Sequence, residues 1–98
     1  MPIKIKQLPK TERPYEKLEK NGEDKLSDGE LLAIIIKTGT KDETAVGLAQ
    51  KVLKLNTDEK DNLKFLCDLT VEEFTKIKGI GKIKAIQLKA VCELATRI

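Results

Sequence analysis

The sequence predicts an all-α fold, a compact bundle of about five short helices. Three observations carry this. Apolar residues recur at three- and four-residue spacing and not in alternation. Two Ser/Thr-x-x-Glu boxes, Ser27–Glu30 and Thr70–Glu73, stand directly before apolar segments. Glycines at 39, 79 and 81 punctuate the periodic stretches. Only Ile3 to Ile5 has any period-two character.

Residues 1–11 read as an extended arm, and 12–98 as one helical domain. Pro14 suits a first helical turn, Tyr15 and Leu18 supply an apolar stripe, and Asn21-Gly22 is a C-terminal stop, so a helix is expected over about 12–20. The Ser27 box starts a second helix through the apolar run Leu31 to Ile36, ending near Lys37 at Thr38-Gly39-Thr40. Helix resumes at about Asp42, with Ala45, Leu48, Ala49, Val52 and Leu53 on one face. Residues 56–62 contain no apolar side chain and read as a loop. Asn62 closes it as a cap for the turn carrying Leu63, Phe65, Leu66 and Leu69. The Thr70 box then opens a short helix that Gly79-Ile80-Gly81 interrupts after Ile77. A last helix follows from Lys82 to Arg97, with Ala85, Leu88, Cys92 and Ala95 as its buried stripe. Phe65 and Phe74 are expected in the core.

An offset of 40 residues aligns Gly39, Ala45, Leu48 and Val52 with Gly79, Ala85, Leu88 and Cys92, and Ile34 with Phe74. Both units have the order helix, glycine hairpin, helix, which suggests a pseudo-twofold pair. The first hairpin, Lys37 to Lys41, has Lys41 where the second has its second glycine, so the 27–55 unit is expected to serve mainly as a packing partner.

Composition narrows the function. The chain has 98 residues, one domain's worth, and no histidine. That removes Ser-His-Asp, Cys-His and His-ligated metal catalysis, and with no other catalytic constellation in view a non-enzyme is expected. No cofactor, metal or small-molecule substrate is expected either. Asp58, Glu59 and Asp61 lack the spacing of a calcium loop. Cys67 and Cys92 lie far apart in sequence and are expected to be reduced and inert. The six-residue apolar run falls far short of the roughly 20 residues that cross a bilayer, so no membrane association is expected. The N-terminus has no apolar secretory core, and a cytoplasmic location is expected. The net charge of +3 is uneven. Residues 1–73 hold 13 Lys/Arg against 15 Asp/Glu, a net of −2, while residues 74–98 hold six against Glu93 alone, a net of +5. Such a cluster is an electrostatic footprint for a polyanion.

The chemistry concentrates in residues 74–88. Glycine at 79 and 81 lets the backbone turn sharply, Ile80 can plug into the core, and the flanking amides stand at the start of the following helix. There the unpaired N–H groups and the helix dipole favour an anion. Lys78, Lys82 and Lys84 surround the same place. Three scattered aromatics, Tyr15, Phe65 and Phe74, make no base-stacking platform.

This segment resembles the helix-hairpin-helix DNA-binding motif, here over 70–97. Ile77, Gly79, Ile80, Gly81, Ala85 and Leu88 fit its pattern. The resemblance implies phosphate binding without sequence readout, through the main chain of Gly79, Ile80, Gly81 and Lys82 and the side chains of Lys78, Lys82 and Lys84. It also implies a pair of such units in a fold like SAM or RuvA C-terminal helical domains. Arg13-Pro14, Leu18, Gly22, Leu26-Ser27-Asp28, Glu30 to Ile34, Thr38-Gly39-Thr40 and Leu48-Ala49 are similar to the N-terminal region of the bacterial RadC family, which is associated with DNA repair. RadC members continue into a JAB/MPN-type, metalloprotease-like domain, so the chain is expected to be a separated N-terminal module. The expected partner is DNA, through its backbone. The alternative is a protein-interaction or regulatory module docking on the JAB domain or another protein, motivated by the Leu31 to Ile36 run, part of which would be exposed.

Overall fold

Pro14 opens the first helix, α1 (Pro14–Asn21), at a position whose backbone N–H would have no helical partner in any case. The structure, a computed structural model, describes residues 13–37, 44–56 and 63–98. Contacts group the chain into two compact units, Met1–Gln50 and Lys51–Ile98. Every α or 3-10 element among the described residues is helical, and none is a strand. The extended arm with its period-two stretch Ile3 to Ile5, the first hairpin loop, the acids at 58, 59 and 61, and the Asn62 cap lie outside the described residues.

In the first unit, α1 ends at Gly22, whose φ of +94° places it in the left-handed region that glycine enters without strain. Its N–H donates to the Leu18 carbonyl at 2.8 Å. A 3-10 turn, Glu23–Lys25, not expected from the sequence, leads to buried Leu26. α2 (Asp28–Ile36) starts on the complete Ser27 box: Glu30 N–H donates to Ser27 Oγ at 3.2 Å, and Ser27 N–H donates to Glu30 Oε1 at 3.0 Å. Its end is sharp, because Lys37 adopts a φ of +72° and closes back on the Ala33 carbonyl at 2.9 Å. Leu32, Ala33 and Ile36 are buried and Leu31, Ile34 and Ile35 half-buried, so the expected exposed patch on this run is absent.

α3 (Ala45–Leu53) begins at Thr44, whose Oγ1 accepts from Gly47 N–H at 2.9 Å. Ala45, Leu48, Ala49 and Val52 are fully buried, which matches the expected apolar face. Its residues to Gln50 belong to the first unit and the remainder to the second.

The second unit builds the site. α4 (Phe65–Asp68) and α5 (Val71–Thr75) both pack on the long α6 (Lys82–Arg97). α5 starts on the complete Thr70 box, with both hydrogen bonds at 3.0 Å. Leu66, Phe74, Ile80, Ala85 and Leu88 are buried in this unit. Two expectations are corrected. Phe65 is half-buried and Leu66 takes the buried place, because a four-residue helix turns only one side chain fully inward. Ala95 is exposed along with the rest of 93–98, because the last turns of α6 extend past the short α4 and α5 that cover its beginning.

Candidate nucleic-acid interface

The turn between α5 and α6 is tight. Lys76 N–H donates to Glu73 O at 3.3 Å, Ile77 N–H to Phe74 O at 3.1 Å and Ile80 N–H to Ile77 O at 3.0 Å. Gly79 sits at a φ of +103°, a conformation that L side chains rarely adopt. The reversal drives Ile80 inward to 2% exposure, close to the requirement inferred from its place between two glycines. Its N–H is engaged inside the turn, so Ile80 acts as the plug that holds the hairpin and not as a donor to an outside ligand.

Gly81 lies on the other side of this plug. It is exposed, it is the N-cap of α6, and a Cβ built there would meet no atom within 4 Å. α2 and α5 begin under a Ser or Thr side chain that accepts from the first turn, whereas α6, like α1 and α4, begins without a side-chain cap. Open approach and an uncapped first turn coincide at Gly81, where the positive end of a 16-residue helix emerges.

The basic side chains divide into two groups. Lys78 and Lys82 are exposed at the hairpin, and Lys84 is half-buried one residue pair further on. Lys76, not among the expected site residues, is also exposed, at the end of α5. Lys89 is diverted: its Nζ donates to the Cys67 carbonyl at 3.0 Å and ties α4 to α6. Arg97 Nε pairs with Glu93 at 3.0 Å on an exposed turn. Of the six basic residues in 74–98, Lys76, Lys78, Lys82 and Lys84 lie within five positions of Gly79 in sequence. The sequence could have flagged Lys76 by its distance from Gly79, but the diversion of Lys89 needed the position of α4.

Two further features had no sequence signal. Cys67 on α4 and Cys92 on α6 are both half-buried and free, and the helices that carry them pack on one another. Burial, then the neighbouring Cys67 side chain, push the Cys92 thiol up to about 11, against the opposing pull of Lys89. α6 also carries a second apolar face. Ile83 (75% exposed), Ile86 and Leu94 (64%) are open, on the side away from buried Ala85 and Leu88, with Val91 at its edge. Among the described residues no group of three or more Cys, Asp or Glu side chains is gathered as a metal site would need. None of the helices described is long and apolar enough to cross a membrane.

These features define a small helical module with a glycine-turned, lysine-ringed helix start. The chain belongs to the UPF0758 family, matching its N-terminal region over residues 5–86. It is 52% identical over 94 residues to a UPF0758 protein of Geobacillus thermodenitrificans, covering 96% of this chain and 40% of that protein. The UPF0758 protein of Alkaliphilus oremlandii is 48% identical over 96 residues, covering 98% and 40%. The chain thus spans about two fifths of the length of these relatives. No solved structure matches it.

Proposed function

We propose that this chain is a non-enzymatic, sequence-independent DNA-binding module of helix-hairpin-helix type, at the N-terminus of a RadC-like, repair-associated protein. The observation that carries the reading is the coincidence at Gly81 of an uncapped helix start, an unobstructed approach and flanking exposed lysines. A backbone phosphate placed there accepts from the main chain near Gly81 and Lys82, with Gly79 shaping the turn and Lys78, Lys82 and Lys84 supplying positive charge. Lys76 joins them on the α5 side. About two to four phosphates would be engaged, so binding is weak and its logarithm falls with log salt at a slope of about −2 to −4.

The test is fluorescence anisotropy of the chain with a labelled short duplex and a branched DNA over a salt series, alongside amide shifts by NMR. Shifts confined to Lys78 through Lys84 that fade with salt, and a loss of affinity in Lys78→Glu/Lys82→Glu, support the reading. An affinity that the double charge reversal leaves unchanged overturns it.

One observation favours a second reading, docking on another domain or protein. The apolar face of α6 is open, and the relatives run to more than twice the matched length. In the RadC resemblance the following domain is of JAB type, and the face would seat it. Association with that domain that survives high salt and is weakened by Ile86→Asp, but not by the lysine reversals, supports this reading over DNA binding.

A further inference from the structure

We infer that the open face of α6 is a self-association surface, on which a second copy of this chain lays its own α6 antiparallel. The face is a continuous stripe. Ile83, Ile86, Ala90 and Leu94 recur at three- and four-residue spacing, all exposed, with exposed Gln87 and Val91 beside them. Buried Ala85 and Leu88 lie on the other side of the helix, so the stripe is no fringe of the core. Leu94 stands eleven residues after Ile83, and Glu93 eleven after Lys82. That spacing is close to three turns, so the members of each pair project in nearly one direction.

The pattern is complementary to itself when reversed. About a twofold axis crossing α6 midway between Ile83 and Leu94, Ile83 meets the partner's Leu94, Ile86 meets the partner's Val91, and Gln87 meets the partner's Ala90, each contact occurring twice. Ala90 is small, which leaves room for the two helices to close on one another. Along one flank Lys82 comes to the partner's Glu93, and Glu93, whose Oε2 already holds Arg97, comes to the partner's Lys82. A parallel pair loses this match and sets two basic helix starts and two helix dipoles side by side. The antiparallel pair joins each basic start to the end that carries Glu93. The stripe on both copies covers on the order of 1,000 Å², the lower limit for a specific interface, so the dimer is weak, with a Kd of about 10–200 µM. Closure about the twofold axis stops assembly at two copies. The inference is independent of the DNA reading, and it competes with the seating of a following domain on the same face.

The test is sedimentation equilibrium of the chain, without DNA, from about 10 µM to about 1 mM in about 0.15 M salt, where repulsion between copies is screened. The mass is expected to rise from one chain toward two and no further. Leu94→Asp, at an exposed position outside the core, leaves the circular-dichroism melt unchanged and raises Kd about tenfold or more. Lys82→Glu and Glu93→Lys each raise Kd about threefold to tenfold, because like charges then face one another across the pair. An equimolar mixture of these two variants associates about as well as the parent chain, since opposite charges are restored at both ends. A chain that stays monomeric to about 1 mM, whether or not its face takes a following domain, overturns the inference. A mass that climbs past two copies, or a mixture no tighter than either variant alone, overturns it as well.

Discussion

The Lys17 ammonium bridges both oxygens of the Glu30 carboxylate, at 3.2 and 3.0 Å, while that carboxylate also accepts Ser27 N–H at 3.0 Å. One side chain thus completes the start of α2 and fastens α1 to it. The Ser27 backbone N–H, helped by the Lys17 and Ser27 side chains and opposed by burial, holds the Glu30 carboxyl below its ordinary 4.5. The ionised form is favoured by folding, so its contribution is present above about 4.5 and disappears as pH falls through the lower folded value. Glu30→Gln is expected to cost about 1 kcal/mol at neutral pH. In thermal melts followed by circular dichroism, the gap between the two proteins stays constant from pH 7 to about pH 5 and narrows below it.

Gly79 and Gly81 are expected to respond differently to the same change. At Gly79, with φ at +103°, Gly79→Ala strains the turn and costs about 1–3 kcal/mol. At Gly81 the space for a Cβ is open, so Gly81→Ala leaves unfolding within about 0.5 kcal/mol of the parent. Denaturant unfolding measures both. Because Gly81→Ala keeps the fold, its effect on DNA affinity reports directly on ligand approach, and a several-fold loss is expected.

Ile80 and Phe74 hold the hairpin from beneath, at 2% and 0% exposure. Ile80→Ala is expected to destabilise the chain by about 2–4 kcal/mol and Phe74→Ala by about 3–5 kcal/mol. Both are read from chemical denaturation at constant slope.

Cys92 should alkylate slowly in the native reduced chain. Only the thiolate reacts, and with the thiol pushed up to about 11 little of it is ionised at pH 8. Native iodoacetamide labelling of Cys92 is expected to lag behind labelling in denaturant and to accelerate through pH 10–11, as followed by peptide mass. Equal rates in the two conditions would refute this protection.

The local signals in the sequence carried much of this architecture. Ser27–Glu30 and Thr70–Glu73 form complete boxes because each needs only four consecutive residues, and the start of α6 follows from Gly81 before it. The Ile80 plug was legible for the same reason. What escaped depended on distant partners. The 3-10 turn at Glu23–Lys25 has no strong composition cue. The exchange of Phe65 for Leu66 depends on how α4 lies on α6, and the run Leu31 to Ile36 is covered by neighbours the local pattern does not name. In the site, the glycines and lysines were visible as a string, but the withdrawal of Lys89 to Cys67 joins residues more than 20 positions apart.

The open apolar face of α6 has a colloidal consequence. With a net charge of +3, copies of the chain repel one another at low ionic strength, and that repulsion keeps Ile83, Ile86 and Leu94 from meeting their counterparts. Salt removes the repulsion and strengthens apolar association. The second virial coefficient from light scattering should therefore fall from positive toward negative as salt rises, the chain growing self-adhesive under the conditions that would weaken the proposed hold on DNA.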